Sequence, residues 1–402
     1  MGTLGQGLRP GPGMLVTGPR PFYVVGHNPN SIPEVLAALD AGANAIEPDI
    51  SVYQDRPTEL CVGEAPLLDP DLGDPASRPS LVQYLTELHA IALQRPELAL
   101  VVLDCKPRVA AADLGAALLQ TIRTHLTYDI PLNVIFSVAS LTETAMFETI
   151  KSQLGPREGA MIDGENDPIA VSQFFSGAGI ENQTFGNGIS VLNSVLGPNV
   201  RPSMEKACWY RAATGRPRFI LVWTVNDHDL MREYIRIGVD GMITDHPKDL
   251  RAILAEAEFP RLVRLAARAD NLFQPANQTY GLAVHTGDQS GAGTDADVTF
   301  TLTGAAGSAS ITVDTGFPGR METSSWNYVT LPSSDLGALQ SITVQRDCDG
   351  AGPDWFLDRI SVESVRGARM QAVFDCWVGS GRPLTKPLAA IEGDASAAGG
   401  TT

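Results

Sequence analysis

The chain has 402 residues, 44% of them hydrophobic and 19% charged, a composition that belongs to a folded globular protein and, at this length, to more than one domain. The formal net charge of -17 excludes nucleic acid as a natural partner, since that affinity comes from Lys and Arg neutralising phosphates, and it disfavours anionic lipid unless a divalent cation intervenes. No apolar run reaches the ~20 residues of a membrane-spanning helix, and the opening MGTLGQGLRPGPG lacks the apolar core of a signal peptide, which leaves either a cytosolic protein or a mature exported one.

From Phe22 to about Leu254, short apolar runs alternate with longer amphipathic, Ala/Leu-rich stretches, the pattern of repeated βα units. In order the runs are FYVVGH, AIEPDIS, LALVVLDCK, NVIFSV, GAMIDG, a weaker one at TFGNGIS, FILVWTV and GMITDHP. About eight strands in ~240 residues predict a TIM-type (β/α)8 barrel over residues 14–255. Residues 256–276, partly helical and then irregular, read as a linker or as a strap on the barrel. From 277 to 378 the chain turns rich in Gly, Thr, Ser and Val, with period-two runs such as DVTFTLTG and SASITVDTG, so an all-β antiparallel sandwich is expected. Residues 379–402, dominated by Ala, Gly and Pro, are expected to be disordered. Five cysteines, at 61, 105, 208, 348 and 376, show no zinc spacing; Cys348 and Cys376 read equally as a disulfide or as two thiols.

The chemistry concentrates at strand ends. Glu47 and Asp49 are two apart, and a strand's period of two puts them on one face. Their neighbours Ile46 and Ile50 are apolar, so these acids belong to a core strand, where two like charges are costly without a cation. Asp104 and Lys106 repeat the device after an apolar run, at the end of the strand where barrel active sites lie. Glu47, Asp49 and Asp104 offer three hard oxygen donors suited to Mg²⁺, Lys106 adds a positive charge for a phosphate, and His27 closes the first strand, where it serves as nucleophile or general base. Read singly, His27 is a loop-bonded strand-end residue and the acids are structural ion pairs; three successive strand ends carrying them together favour a site.

These residues carry a resemblance. VVGHNPN, GANAIEPDIS, LVVLDCK, VWTVND and GVDGMITDHP resemble, in order and spacing, the sphingomyelinase D/phospholipase D enzymes of spider venoms, actinobacteria and fungi, relatives of glycerophosphodiester phosphodiesterases. RLAARADNLF, residues 264 to 273, is similar to the short tail motif of the sphingomyelinase D group, which packs on the bottom of the barrel. The resemblance implies that His27 attacks or organises the phosphodiester, that Glu47, Asp49 and Asp104 ligate Mg²⁺, that Lys106 contacts the phosphate and that Trp223 lines the substrate cleft. Asp163 and Asn166, in MIDGENDP, read either as part of the same rim or as a loop cap. It implies release of the head-group alcohol from sphingomyelin or a lysophospholipid with a cyclic phosphate product, and an extracellular place of action.

One departure stands out: the family carries a second histidine after the second strand, and ELCVGEAPLLDP has none. Glu64 is the nearest ionisable residue there, and reads either as a proton donor or as an exposed loop acid. His89 and His125 fall in helical patterns; His228 and His246 fall on loops. The alternatives are therefore a glycerophosphodiesterase or an inactive lipid-binding barrel. The second domain resembles a PLAT/LH2 domain through YGLAVHTGDQSGAGTDADVTFTLTG, LGALQSITVQRD, PDWFLDRISV and FDCWV. That implies a peripheral membrane or lipid-micelle surface as partner, with Ca²⁺. Residues 277–378 hold twelve Asp/Glu against five Arg and no Lys, with Asp288, Asp295 and Asp349 in Gly-rich loops, read either as calcium ligands or as turn aspartates. Trp326 and Trp355 read as membrane-facing or as core. A monomer is expected.

Overall fold

The computed structural model describes residues 9–10, 19–63, 78–188, 200–274, 279–314, 320–347, 354–367, 369–379 and 381–391. The chain forms two compact units, residues 18–207 with 216–276, and residues 277–402 with 1–17 and 208–215.

The first unit is a closed parallel barrel. Its eight staves are β1 (Arg20–His27), a second stave split at Pro48 into β2 (Ala45–Glu47) and β3 (Asp49–Val52), β5 (Leu100–Cys105), β6 (Asn133–Val138), β7 (Glu158–Ile162), β8 (Gln183–Gly188), β9 (Phe219–Trp223) and β10 (Gly241–Thr244); a short β4 (Leu60–Val62) runs antiparallel to β3. Closure comes from β10 pairing with β1, Gly241 opposite Tyr23 and Thr244 opposite Gly26. Among the described residues, eight helices alternate with the staves: α1 (Ile32–Asp40), α2 (Leu81–Gln94), α3 (Ala112–His125), α4 (Ala145–Ile150), α5 (Pro168–Ala178), α6 (Val200–Thr214), α7 (His228–Ile237) and α8 (Pro247–Leu254). Their starts are written in the sequence. Ser31 and Glu34 form a capping box at α1, and Ser80, Asp167 and Asp227 accept backbone N–H bonds at the starts of α2, α5 and α7, each cap contributing about 1 kcal/mol. His228, read from the sequence as a loop residue, opens α7 because Asp227 caps it.

Tyr23, Val25, Ala45, Leu100, Val102, Ile135, Met161, Phe219, Leu221 and Ile243 form one buried cluster. Within each strand these residues are two apart, as an inward-facing stripe requires. Residues 256–274 complete the cluster from below: β11 (Val263–Leu265) pairs with β1, and Ala266, Leu272 and Phe273 join the core. A Cβ on Gly159 would lie 2.3 Å from the Phe273 ring, so glycine there makes the seat for that ring. Side chains clamp the strap through its backbone carbonyls. Asn44 donates to Ala266 O, Asn133 to Asp270 O, and Arg157 to the carbonyls of Arg268, Ala269 and Asp270. Arg268 returns the device, donating to Ala92, Leu98 and Arg95 carbonyls.

The second unit has two antiparallel sheets. One contains β12 (Thr279–Thr286) between β15 (Trp326–Pro332) and β17 (Trp355–Glu363), followed by β18 (Arg369–Val378); the other orders β14 (Gly307–Val313), β13 (Val298–Gly304), β16 (Leu339–Arg346) and β19 (Leu384–Pro387). Phe300 and Trp355, one from each sheet, meet edge to face at 6.4 Å, a favourable aromatic geometry. Of the residues expected from composition to be disordered, 384–387 and 389–390 are strands. β19 adds to β16 with Thr343 and Thr385 hydroxyls 2.8 Å apart, and β20 (Ala389–Ala390) pairs with β18; an open sheet edge recruits these residues whatever their composition. Residues 392–402 lie outside the described residues.

Trp355 is fully buried and donates to Thr286 Oγ1, whereas Trp326 is 46% exposed; the two tryptophans have opposite environments. Cys376 is a half-buried free thiol, and Cys348 lies outside the described residues. Asp288 and Asp295 are exposed and belong to no group of three potential metal-ligating side chains among the described residues; Asp349 lies outside them.

Candidate active site

In seven of the eight staves the inward stripe, followed one step beyond the apolar core, ends on a polar or aromatic side chain. Tyr23 and Val25 lead to His27, Ala45 to Glu47, Leu100 and Val102 to Asp104, Ile135 to Ser137, Met161 to Asp163, Phe219 and Leu221 to Trp223, and Ile243 to Asp245. The parallel register holds these ends level: His27 stands opposite Glu47, Asp49 opposite Asp104, and Asp104 opposite Ser137. The site is therefore the C-terminal mouth of the barrel, built by alternation and register alone.

Glu47, Asp49 and Asp104 each bring a carboxylate oxygen within 4.8 Å of the others. Glu47 and Asp49 are 6% and 1% exposed. Lys106 Nζ lies 2.7 Å from Asp104 Oδ2, as a hydrogen bond, and 2.6 Å from Asp49 Oδ1. The second contact is an ion pair, and Asp49 Oδ1 is buried with that ammonium as its neighbour. Asn30 fixes the other side of Asp49, donating Nδ2–H to Oδ2 at 2.8 Å and accepting the Asp49 amide at 2.9 Å. Asn28, at φ 48°, a left-handed conformation that Asn tolerates, turns its amide toward Glu47 Oε2 at 3.3 Å.

The charges are unbalanced. Burial, then Asp49 and Asp104, push the Glu47 carboxyl well above its ordinary range, against the smaller effects of Lys106 and the Asn28 amide. Burial and Asp104 likewise raise Asp163 to about 7, although Ser137 donates to it at 2.8 Å. Burial works against the Lys106 ammonium, but Asp104 and Asp49 outweigh it and its pKa rises. Three hard oxygens converging within 4.8 Å, two of them on buried residues, fit a hard divalent cation. Bound there, such an ion would act as a Lewis acid toward a phosphoryl oxygen.

His27 is partly exposed, its Nδ1 2.7 Å from Asp245 Oδ1. Asn226 donates to the other oxygen of Asp245 at 2.5 Å and is itself oriented by Thr244 Oγ1 and the Asp245 amide, each donating to Asn226 Oδ1 at 3.0 Å. The hydrogen bond from His27 holds Asp245 below the usual carboxylate range. A carboxylate on Nδ1 selects the tautomer with the lone pair on Nε2. Trp223 Nε1 donates to the Asp163 carbonyl at 2.9 Å, and a Cβ on Gly188 would fall 2.3 Å from the indole; glycine in β8 makes room for this ring.

The six residues singled out in the sequence thus all lie on strand ends at one mouth. Asp163 joins them, while Asn166 accepts from Asn187 Nδ2 at 3.0 Å as a loop fastener. Glu64 lies outside the described residues. Asp245, Asn226 and Asn30 were not singled out. The signal for Asp245 was available: it follows Ile243 by two, as Glu47 follows Ala45.

A closed barrel with a cation-ready carboxylate cluster, a lysine and a carboxylate-oriented histidine at its mouth defines a phosphodiester-cleaving (β/α)8 enzyme. Residues 17–273 match the family model described as Dermonecrotic toxin SPH, and residues 280–385 match the PLAT/LH2 domain. The chain belongs to the dermonecrotic toxin SPH family, and as such is a phosphoric diester hydrolase or lyase of the phospholipase D type with a C-terminal PLAT domain. Among curated relatives, Dermonecrotic toxin SPH of Ixodes scapularis is 27% identical over 63% of this chain and 75% of its own length. Dermonecrotic toxin LarSicTox-betaID1 of Loxosceles arizonica is 25% identical over 63% and 93%. Among solved structures, a glycerophosphodiester phosphodiesterase from Parabacteroides distasonis is 19% identical, with TM-score 0.39, covering 59% of this chain and 98% of its own. Coral 8R-lipoxygenase, 30% identical with TM-score 0.26, matches 27% of this chain and 17% of its own.

Proposed function

We propose that the barrel is a metal-dependent phospholipase D of the sphingomyelinase D type, releasing the head-group alcohol from sphingomyelin or a lysophospholipid and leaving a cyclic phosphate. The observation that carries this reading is the single mouth on which the Glu47–Asp49–Asp104 cluster, Lys106 and the His27–Asp245 pair converge. Glu47, Asp49 and Asp104 hold Mg²⁺. Lys106 keeps Asp49 and Asp104 in register and presents positive charge to the phosphate. His27, its Nδ1–H given to Asp245, uses Nε2 to take the proton from the lipid's own hydroxyl as that oxygen attacks phosphorus; the bond from phosphorus to the head-group oxygen breaks, and the proton passes from the imidazolium to that oxygen, releasing the alcohol. Trp223 forms an apolar wall of the cleft.

The PLAT unit brings the enzyme to a zwitterionic lipid surface. Supporting this, β12, β15, β17 and β18 set Trp326, His285, Arg359 and Val373 across one sheet face, with Trp326 46%, Val373 55% and the nearby Trp377 45% exposed. In this reading the enzyme acts outside the cell as a monomer, with Ca²⁺ assisting the acidic PLAT loops.

The test is phosphorus NMR of the protein with lysophosphatidylcholine and sphingomyelin micelles and Mg²⁺, alongside EDTA and His27→Ala controls. A cyclic phosphate resonance absent from both controls supports the reading. An open phosphomonoester would favour a glycerophosphodiesterase-type reaction, and no product with Mg²⁺ bound would leave a lipid-binding barrel.

A further inference from the structure

Among the described residues, one guanidinium beside the Asp49 strand, that of Arg78, has no carboxylate partner. The Gly63 amide donates to Asp49 O at 2.9 Å, and Ile50 pairs with Val62, so position 63 stands across the ladder from Asp49 and on its face. Gly63 has φ +116°, a conformation L side chains rarely adopt, and Arg78 lies against this position, its Cδ and Nε 3.5 and 3.6 Å from where a Cβ would stand, ordinary van der Waals contact. Arg78 thus packs beside position 63, on the face that Asp49 shares.

Its backbone is pinned. The Tyr53 hydroxyl donates to the Arg78 carbonyl at 2.9 Å, and the Val62 amide to the Pro79 carbonyl at 3.2 Å, just before α2 begins. Its side chain is held weakly, Nη1 reaching Gly63 O at 3.3 Å and Ser51 Oγ at 3.5 Å. Ser51 continues the Glu47–Asp49 stripe of the same stave. Arg78 Nε and Nη2 are buried with no hydrogen-bond partner, and Arg78 makes no ion pair with a carboxylate among the described residues. A half-buried guanidinium with unused donors is costly unless an anion completes it, and its planar fork suits phosphate oxygens. Lys106, the other cation on this face, is already engaged by Asp49 and Asp104.

We propose that Arg78 is a substrate-binding residue that grips a non-bridging oxygen of the phosphodiester at the mouth. This rests on the phosphodiesterase reading above and adds the anion anchor to it. A guanidinium does not titrate, so Arg78 supplies charge and hydrogen bonds, and it donates no proton to the leaving alcohol.

The experiment measures inorganic phosphate binding by calorimetry in Mg²⁺, together with kcat and KM for lysophosphatidylcholine, on the full chain and on Arg78→Gln and Arg78→Lys. Loss of charge-assisted hydrogen bonds predicts about 10- to 100-fold weaker phosphate binding for Arg78→Gln, with partial recovery in Arg78→Lys. Mg²⁺ affinity stays within about threefold, since Arg78 touches no carboxylate of the cluster. Phosphate binding unchanged in Arg78→Gln overturns the proposal, as does an equal loss of melting temperature in both variants with phosphate affinity intact, the mark of a structural fastener. Arg78-dependent phosphate binding without turnover of lysophosphatidylcholine would leave the anion anchor standing and sink the lysophospholipid reading of the proposed function. Turnover indifferent to Arg78 would do the reverse.

Discussion

Asp245→Asn is the substitution that most sharply tests the histidine's role, because the hydrogen-bond network dictates what the introduced amide must do. Asp245 accepts from His27 on one oxygen and from Asn226 on the other. An amide has one acceptor. If its carbonyl turns to Asn226, its NH₂ meets His27 Nδ1, and the ring proton moves to Nε2, where the lone pair is needed. The electrostatic part of the loss is modest: a charge pair at ~4 Å is worth about 1 kcal/mol in water and about 4 at an effective dielectric of 20. With His27 and Asp245 side chains 32% and 48% exposed, the lower end applies, about 1–2 kcal/mol after screening, or ~5- to 30-fold in rate. Asp245→Ala, in which water replaces the carboxylate, is expected to lose only that. Asp245→Asn adds the wrong tautomer and is expected to lose roughly 100-fold or more in kcat. The double substitution Asn226→Asp with Asp245→Asn lets the amide donate to the relocated carboxylate and turn its carbonyl to His27, and so recovers much of the rate. The assay is initial-rate release of choline from lysophosphatidylcholine at saturating Mg²⁺, near neutral pH. Asp245→Asn faster than Asp245→Ala, or a double variant no better than Asp245→Asn, would refute the reasoning.

Four other outcomes follow from the geometry. Glu47→Gln and Asp104→Asn each remove one donor from the cluster, and calorimetry should find Mg²⁺ binding weakened by about 10-fold or more with the fold intact by circular dichroism. Asp163, raised to about 7, holds its proton more tightly folded than unfolded, so the metal-free protein loses stability as pH rises from the ordinary carboxyl range through about 7. Asp163→Asn should flatten that slope, with a difference of at most about 4 kcal/mol between urea melts at pH 4 and pH 8 in EDTA. Arg268→Ala breaks three carbonyl contacts of the strap and should destabilise the barrel by about 2–4 kcal/mol in urea melts. Trp326→Ala with Trp377→Ala should weaken sedimentation with phosphatidylcholine vesicles ~5- to 30-fold, for about 1–2 kcal/mol of lost apolar burial, leaving turnover of a water-soluble diester unchanged.

What could be read in the sequence was whatever one strand decides by itself. Alternation within a stave puts Glu47 with Asp49 and Asp104 with Lys106, and the apolar run before each pair shows which face is the core. The weak strand at TFGNGIS is weak for a reason that lies in other strands: Gly186 yields space to Asp163 and Met161, and Gly188 to Trp223, so β propensity was given up to seat neighbours. Asn30 and Arg78 escaped for the same reason. Neither belongs to a periodic run, and each matters through a residue elsewhere in sequence, Asn30 through Asp49 and Arg78 through Ser51 and Gly63. Trp326 and Trp355 have the same side chain and opposite fates because burial depends on which sheet lies opposite, which no single strand encodes. The barrel's chemistry therefore divides along a physical line. Groups that must be charged and converge, such as the carboxylates, are fixed by strand period and survive as legible pairs, while groups that orient them are fixed by loops and register and become visible only once the staves close.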